Sequence, residues 1–382
     1  MNMVELRQVS KRYGTVEALT AVDLSIQKGE FVTLLGPSGS GKTTLLNLIA
    51  GMVEPSAGRI FIDGRDATGL PASQRGLGMV FQNYALMPHM TVFENIAFPL
   101  RVRRLSRPEI KRRVGDVLDL VRLPDIASRK PRELSGGQQQ RVSLARCIVY
   151  NPTLILMDEP LGALDKKLRE QMQLEIKRIH SELGITMINV THDQDEALTM
   201  SDRIVLMNRG RIEQEAAPEE LYFHPRTVFA ADFIGDANLF AGTISTGNDG
   251  DARDGNAAGG NAADTVRADT GFGRVEAAAP RFAVAAGTVV TLSVRPENVR
   301  LVERIEHERA AGQFNRAGGV VRDSIVLGGV VKHHVTLGDR SEFVVQEPNH
   351  LRRSALAPGQ TVHLAWDAMD CVTLPGSPAA DS

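Results

Sequence analysis

The chain has 382 residues, of which 42% are apolar and 24% are charged, and its formal net charge is −2. This balance is typical of a globular protein and gives no electrostatic reason to expect a nucleic-acid partner. The length exceeds one ordinary domain and predicts two or three.

The sequence shows no pattern typical of a membrane-spanning helix or a secretion signal. No run approaches the roughly 18 consecutive apolar residues that a spanning helix needs, and residues 1–14 lack the apolar core of a signal peptide. We therefore expect a cytosolic chain. Its two cysteines, Cys147 and Cys371, are too few for a disulfide framework or a metal cluster, and we interpret both as structural.

Residues 1–235 alternate between strand-like and helix-like segments. Apolar runs that lead into polar or glycine-containing turns predict strands at Phe31–Leu35, Leu77–Phe81, Thr153–Met157 and Thr186–Val190. Such alternation predicts an α/β domain with a largely parallel sheet. Because composition changes near residue 235, we expect a first domain over 1–235 and a second over 236–382.

A glycine-rich loop follows the first of these strands and precedes the helix-prone run Thr44–Ala50. It is a P-loop, whose backbone N–H groups surround phosphate oxygens at a helix N-terminus. Lys42 is expected at the β and γ phosphates, and the Thr43 hydroxyl is expected to bind Mg²⁺. The predicted nucleotide-binding residues here are Gly36, Pro37, Ser38, Gly39, Ser40, Gly41, Lys42, Thr43 and Thr44.

Two adjacent acids end the predicted strand near residue 157. Asp158 is expected to hold Mg²⁺, through water, because a P-loop needs a carboxylate for its metal. Glu159 points to the other side of the strand end and is expected to polarise the water that attacks the γ-phosphate. Lys42 and Glu159 are therefore predicted catalytic residues.

An amphipathic helix is predicted after these acids. Apolar residues recur at spacings of three and four at Leu168, Met172, Ile176, Ile179 and Leu183, so one stripe should pack on the sheet. The charges elsewhere on this helix are predicted to form a solvated face, namely Lys167, Arg169, Glu170 and Lys177.

A second glycine motif, Ser135, Gly136, Gly137 and Gln138, begins a predicted helix over Gln138–Tyr150. Ser135 and Gln138 also have the spacing of a capping box, so a purely structural reading exists. The motif resembles the signature of the ATP-binding cassette family. That resemblance implies that these residues contact the ATP of an opposite subunit in a head-to-tail homodimer.

Further positions resemble the same family in the same order. Asp165 matches the loop that crosses the dimer interface, and Gly162 stands where serine is commonest there. Gln82 resembles the glutamine that senses Mg²⁺ and the attacking water beside the membrane partner. His192 resembles the γ-phosphate switch histidine, and Tyr13 resembles the aromatic residue that stacks on adenine. The resemblance thus adds Gln82 and His192 to the catalytic set and Gln82 to the Mg²⁺ site.

Residues 236–382 predict a small all-β barrel or sandwich, from runs at Thr288–Val294, Gly318–Arg322, Ile325–Thr336, Glu342–Gln346 and Gln360–Trp366. The segment 242–273 is dominated by Gly, Ala, Asp and Asn, which predicts a disordered insertion. Residues 293–297, Ser-Val-Arg-Pro-Glu, are similar to a motif of the OB-like TOBE domain of bacterial importer ATPases. Dimer contact, regulation and ligand sensing stay open as its role.

The stretches 82–92 and 191–214 are similar to the ATPases of spermidine/putrescine importers, and the ATPases for ferric iron, sulfate, sugars and phosphonates share much of both. The resemblance implies ATP and Mg²⁺ as ligands, two transmembrane permease subunits, an extracytoplasmic solute-binding protein and a position at the cytoplasmic face of the bacterial inner membrane. A non-transport cassette ATPase is the distant alternative, since the chain has one cassette and no coiled-coil or zinc-bearing insertion.

Overall fold

A computed structural model describes residues 1–245, 265–302, 314–350 and 356–376. The chain divides into two compact units, Met1–Glu219 and Glu220–Ser382. Within the described ranges, no helix combines the length and apolar character that crossing a membrane requires.

The first unit contains ten strands. They are β1 (Asn2–Tyr13), β2 (Val16–Gln27), β3 (Phe31–Leu35), β4 (Ala57–Ile62), β5 (Arg65–Asp66), β6 (Gly78–Val80), β7 (Leu154–Asp158), β8 (Thr186–Thr191), β9 (Arg203–Asn208) and β10 (Arg211–Ala216).

Eight helices accompany these strands, the last of which continues into the second unit. They are α1 (Lys42–Ala50), α2 (Ala72–Arg75), α3 (Val92–Val102), α4 (Arg107–Leu120), α5 (Gly136–Ile148), α6 (Lys166–Leu183), α7 (Gln194–Met200) and α8 (Pro218–Phe223). Two short 3₁₀ helices lie at Pro124–Ile126 and Pro131–Glu133.

The central sheet has six strands in the order β10-β9-β3-β8-β7-β6. Neighbours from β9 to β6 pair in parallel, and β10 pairs antiparallel with β9 at the edge. Every residue of β3 and β8 is buried, as expected when both faces of a parallel sheet are covered. A separate antiparallel sheet has the order β2-β1-β4-β5. The predicted α/β architecture is confirmed.

Helix α6 shows how its sequence pattern becomes packing. Met172, Ile176 and Ile179 are buried in the hydrophobic core, as the apolar spacing predicted. The solvated-face prediction is confirmed for Lys167, Glu170 and Lys177, which are exposed, and it is wrong for Arg169, which is partly buried and pairs with Asp193 at 2.7 Å. A helical wheel does not show which neighbouring loops return to its polar face.

The described residues of the second unit include one further helix and ten strands. They are α9 (Val228–Phe233), β11 (Asn238–Ile244), β12 (Thr265–Thr270), β13 (Gly273–Ala278), β14 (Val289–Val294), β15 (Arg300–Val302), β16 (Phe314–Leu327), β17 (Val330–Leu337), β18 (Glu342–Pro348), β19 (Thr361–Asp367) and β20 (Cys371–Pro375). Short 3₁₀ helices lie at Pro296–Asn298 and Ala368–Asp370.

Two five-stranded antiparallel sheets build this unit, in the orders β13-β12-β11-β14-β20 and β15-β19-β16-β17-β18. Their inner faces share one core, in which the rings of Phe240, Phe343 and Trp366 contact one another. The predicted all-β character of the C-terminal part is confirmed.

One predicted break in this unit lies at the wrong place. The sequence suggested a strand ending at Arg322 and another starting at Ile325, but β16 runs without interruption to Leu327. Its polar residues form a β-bulge between Val321 and Asp323. The chain turns instead at Gly328, whose φ of 69° suits glycine, and Leu327 pairs with Val330 across the two-residue turn.

The segment 242–273, predicted as a disordered insertion, is strand at both ends. Gly242–Ile244 complete β11, and Thr265–Thr270 form β12, which pairs with β13. The prediction for residues 246–264 falls outside the described residues. These strands could not be predicted from composition, because Gly, Ala and Asp dominate the segment and have low strand propensity. The β12–β13 pairing depends on backbone hydrogen bonds instead.

Buried Arg295, the arginine of the Ser-Val-Arg-Pro-Glu motif, organises the start of the second unit. Its guanidinium donates to the carbonyls of Tyr222, Ala231 and Asp236, and the guanidinium carbon lies 4.3 Å from the centroid of the Tyr222 ring. These bonds tie residues 222–236 to the β-domain, so the compact unit begins earlier than the composition change near 235 indicated.

Replacing Arg295 with methionine is expected to destabilise the second unit by roughly 3–5 kcal/mol, because three buried carbonyls lose their donors while the stem volume is kept. Trp366, the one tryptophan of the chain, lies in this unit's core and reports its unfolding in urea by fluorescence. Arg274→Met, which removes an exposed ion pair with Asp269, is the control and should change stability by less than about 1 kcal/mol. Equal effects of the two variants would contradict the structural role of Arg295.

Candidate active site

The P-loop joins β3 to α1, and its shape depends on glycine. Gly39 and Gly41 have φ of 80° and 100°, in the region that residues with a Cβ avoid. A Cβ at Gly36 would lie 2.2 Å from the Met207 carbonyl oxygen, and one at Gly41 would lie 2.8 Å from the Ala18 oxygen. The loop therefore brings backbone N–H groups to the N-terminus of α1, an arrangement that binds anions.

Lys42 is the charged group of this loop and is largely buried. Its Nζ donates to the carbonyl oxygens of Gly36 at 2.7 Å and Pro37 at 2.8 Å. Burial lowers the pKa of Lys42, while the nearby carboxylates of Glu159 and Asp158 raise it. The ammonium group thus lies inside the loop, facing the strand end that carries both acids.

Asp158 and Thr43 come together where β7 ends. The Thr43 hydroxyl lies 3.5 Å from Asp158 Oδ1. Burial and the neighbouring Glu159 charge raise the pKa of Asp158, and the bond from Thr43 opposes this. A hydroxyl and a carboxylate oxygen side by side suit Mg²⁺, which takes few protein ligands and completes its shell with phosphates and water. The residues present therefore fit the ion predicted for this position.

Glu159 bridges two of the other predicted catalytic side chains. Gln82 Nε2 donates to Glu159 Oε2 at 3.2 Å, and His192 Nδ1 lies 3.1 Å from Glu159 Oε1. The three residues follow β6, β7 and β8, which are neighbours in the sheet, so their carboxyl ends share one edge. Glu159 has a φ of 45°, and its N–H donates to the Val190 carbonyl. This strained backbone fixes the direction of the carboxylate.

A buried acid that sequence reasoning missed supports the segment around His192. Glu196, 2% exposed, accepts hydrogen bonds from Asn189 at 2.8 Å and from the Thr191 hydroxyl at 3.1 Å. Thr191 in turn accepts from the N–H of Asp193. Glu196 thereby anchors the residues on both sides of His192. A helix-start glutamate gives no sequence signal for such burial.

Glu196 also makes stability depend on pH. Burial raises its pKa to about 7 from an ordinary value of 4.5. Between these values the unfolded chain has lost the proton that the folded chain keeps, so stability falls as pH rises through this window and levels off above pH 7.

Glu196→Gln keeps the shape of the side chain without the proton equilibrium; its amide oxygen can accept one of the two hydrogen bonds, and its N–H₂ can donate in place of the other. Relative to this variant, the wild type should lose on the order of 3 kcal/mol between pH 4.5 and pH 7.5. Urea unfolding followed by far-ultraviolet circular dichroism, mostly from helices of the first unit, measures the difference at each pH. A difference that does not change with pH would contradict the buried, protonated carboxyl.

Arg169 connects the segment before α6 with the segment that contains His192. Its guanidinium pairs with Asp193 at 2.7 Å and donates to the Leu164 carbonyl at 3.2 Å. Asp165 follows Leu164 and caps α6, where its Oδ1 accepts from the Leu168 N–H at 3.0 Å. Arg169 therefore connects the residue before Asp165 with the residue after His192.

The signature residues form the capping box that their spacing allowed. Ser135 Oγ accepts from the Gln138 N–H at 3.4 Å, and Gln138 Oε1 accepts from the Ser135 N–H at 3.0 Å. A Cβ at Gly136 would lie 3.2 Å from Leu164, and one at Gly137 would lie 2.9 Å from Leu168. Within the described chain, no hydrogen bond joins these four residues to the P-loop, and Ser135 is exposed at the helix start.

Tyr13 and Gly162 complete the predicted set. Tyr13 is 48% exposed at the end of β1, with Lys11 Nζ 5.0 Å from its ring centroid, so one ring face is open to a flat partner. A Cβ at Gly162 would lie 3.9 Å from Gln82 Nε2, which is ordinary contact. Serine would thus fit beside Gln82, and this chain lacks the hydroxyl it would bring.

Comparison with known proteins identifies the family of this chain. The ABC transporter family model matches residues 19–162, and the TOBE domain model matches residues 292–374. The spermidine/putrescine import ATP-binding protein PotA of Thermobifida fusca is 46% identical over 379 residues, which cover 98% of this chain and 94% of that protein. The chain belongs to the ABC transporter family. A protein of the same name in Rubrobacter xylanophilus is 46% identical over 374 residues, with the same coverage. As a family member, this chain is an ATP-binding, ATP-hydrolysing transporter subunit.

Solved structures resemble the cassette part of this ABC protein. A dimeric ATP-binding cassette in a post-hydrolysis state, bound to ADP and phosphate, is 38% identical with a TM-score of 0.51 and covers 56% of this chain and 99% of that chain. CbiO1 from Clostridium perfringens, part of an ABC transporter complex, is 28% identical with a TM-score of 0.55 and covers 58% of this chain and 90% of that one. The predicted cassette fold is confirmed.

Proposed function

We propose that this chain hydrolyses ATP to drive the import of a polyamine, spermidine or putrescine. The main observation that supports this proposal is that Glu159 contacts both Gln82 and His192. These residues follow strands of the same sheet as the P-loop, which carries Lys42 and Thr43. The polyamine assignment is supported by relatives of that name that match nearly the whole chain. Importers of ferric iron, sulfate, sugars or phosphonates are the alternatives.

In the proposed reaction, water attacks the γ-phosphorus as the bond to the ADP oxygen breaks. Glu159 orients this water and accepts its proton, and Gln82 and His192 hold the carboxylate from its two sides. Lys42 places a positive charge at the β and γ phosphates, where negative charge develops. Thr43, Asp158 and Gln82 would hold Mg²⁺, which neutralises phosphate charge when bound.

The exposed signature residues suggest a second copy of this chain as the first partner. Ser135, Gly136, Gly137 and Gln138 would contact the nucleotide of a second copy, with Asp165 at the interface between the two copies, and Tyr13 would stack on adenine. Two permease subunits and an extracytoplasmic solute-binding protein would complete the importer, with this chain at the cytoplasmic face of the bacterial inner membrane. By function, residues 1–235 are assigned to the cassette and residues 236–382 to a regulatory β-domain, although the compact unit that contains this β-domain begins at Glu220.

Reconstitution in vesicles with the co-expressed membrane subunits tests the proposal. ATP hydrolysis should rise several-fold with the solute-binding protein loaded with spermidine or putrescine, and it should stop when EDTA removes Mg²⁺. The same complex with Glu159→Gln is the background control. Stimulation by a sulfate-, sugar-, phosphonate- or ferric-loaded binding protein instead would move the assignment to that solute, and hydrolysis without any membrane subunit dependence would favour a non-transport ATPase.

A further inference from the structure

The loop that follows Gln82 has an unusual backbone. Tyr84 and Ala85, which are consecutive and carry a Cβ, have φ of 61° and 45°. Such left-handed conformations persist outside glycine only when the surroundings enforce them. The loop carries a second cost, because the Tyr84 hydroxyl is buried without a hydrogen-bond partner among the described residues. Something must therefore stabilise residues 83–91 in this shape.

Two side chains of α5, one helical turn apart, meet this strained backbone. Ser143 Oγ donates to the Tyr84 carbonyl at 2.9 Å, and Arg146 donates to the same carbonyl at 2.9 Å and to the Ala85 carbonyl at 2.6 Å. We name Ser143 and Arg146 the α5 clamp. Their three bonds go to the two residues whose backbone is left-handed.

The clamp arginine has no acidic partner in the described part of the chain. Burial lowers the pKa of Arg146, and the described charges that act on it include no carboxylate. A partly buried guanidinium costs desolvation unless its N–H groups are satisfied, and here the loop carbonyls accept from two of them. The arginine and the strained loop therefore depend on each other.

The far end of the loop is held by a different helix. Asn95 of α3, fully buried, accepts from the Met87 N–H at 2.8 Å and donates to the Thr91 carbonyl at 3.0 Å. The loop is thus fixed to α3 at one end and to α5 at the other. Because α5 begins at the signature glycines and the loop begins at Gln82, the clamp joins this helix to the backbone two and three residues after Gln82.

We propose that Ser143 and Arg146 are positioning residues that hold the strained loop after Gln82 and so keep its amide on Glu159. This role rests on the proposed ATPase function and deepens it. The signature helix and the catalytic glutamine become one mechanical unit, linked through the backbone of Tyr84 and Ala85. Removing the clamp should let the loop relax and withdraw Gln82, without changing the P-loop that binds nucleotide.

Glycine provides the decisive test, because it adopts left-handed φ without strain. In the complex with its membrane subunits, Arg146→Met should lower kcat about tenfold and leave the KM for ATP within about twofold. Adding Ala85→Gly should restore kcat about fivefold. The matched control is Ala21→Gly, a substitution of the same kind at φ 46° in β2, which should restore nothing when combined with Arg146→Met.

Hydrogen exchange of the full chain gives a readout independent of activity. Arg146→Met should speed exchange of the amides of residues 84–90 by about tenfold, and Ala85→Gly should reverse this. If Arg146→Met fails to fold, Ser143→Ala carries the same test, with a kcat loss of about threefold and the same rescue.

The possible outcomes distinguish failure of the positioning role from failure of the proposed ATPase function. An Arg146→Met complex with wild-type kcat, or one that Ala85→Gly and Ala21→Gly rescue equally, overturns the positioning role and leaves the proposed ATPase intact. Faster loop exchange with unchanged kcat does the same, because the clamp would then be structural only. A wild-type complex that does not hydrolyse ATP overturns the proposed function and the positioning role together.

Discussion

Replacing Glu159 with glutamine is expected to lower the kcat for ATP hydrolysis at least about a hundredfold, because the amide keeps the size of the carboxylate but accepts no proton from water. Nucleotide binding should stay within about twofold of wild type, since the P-loop and Lys42 do not depend on this carboxylate for their geometry. Phosphate release measures turnover, and titration with a fluorescent ATP analogue measures binding.

Glu170→Gln is the matched control for this change. Glu170 is an exposed glutamate of α6 for which we predict no contact with nucleotide, so its kcat should equal that of the wild type. A Glu159→Gln protein that retains more than about a tenth of the wild-type kcat would show that another group accepts the proton. Loss of nucleotide binding in the same variant would show that the effect is not on the chemical step.

The cluster around Glu159 shows which features of the site could be predicted from the sequence and which could not. Each of Gln82, Glu159 and His192 follows an apolar run, so each could be placed at the carboxyl end of a strand. Their meeting point depends on β6, β7 and β8 being neighbours, whereas β3 comes before all of them in the chain and lies on the far side of β8. Strand order is set by long-range pairing, which local pattern does not contain. The family resemblance supplied that information.

The contacts that were not predicted from the sequence share one physical feature, which is a partner that no sequence pattern marks. Arg146 and Arg295 bind backbone carbonyls, and every residue offers one, so no complementary residue type marks the contact. Glu196 looks like any acid in a first helical turn, and its burial follows only from how α7 packs on the sheet. The polar residues near Asp323 were predicted as a turn, but they form a β-bulge within a continuous strand. Pairing with the neighbouring strand decides between a turn and a bulge, and the local sequence does not show that pairing.

Variants of the signature residues are also expected to change turnover strongly. In the proposed dimer, the signature of one copy lies opposite the P-loop of the other. Lys42→Met removes the P-loop charge, and Gly136→Asp adds a negative charge at the signature without removing the Ser135 cap. Each variant alone should have no measurable turnover, because both composite sites of its homodimer are defective. Repulsion between the added carboxylate and the γ-phosphate is the reason for the second loss.

Co-producing the two variants in equal amounts with the membrane subunits should restore about a quarter of wild-type turnover. Half of randomly formed dimers are mixed, and each mixed dimer has one complete site, built from the normal P-loop of one copy and the normal signature of the other. Phosphate release from the purified complex measures this. A chain that completed its own site would leave one defect in every site, so mixing would restore nothing. Recovery therefore distinguishes a site shared between copies from a site contained in one, and Ser135, exposed at the start of α5, is then the half that each copy gives to its partner.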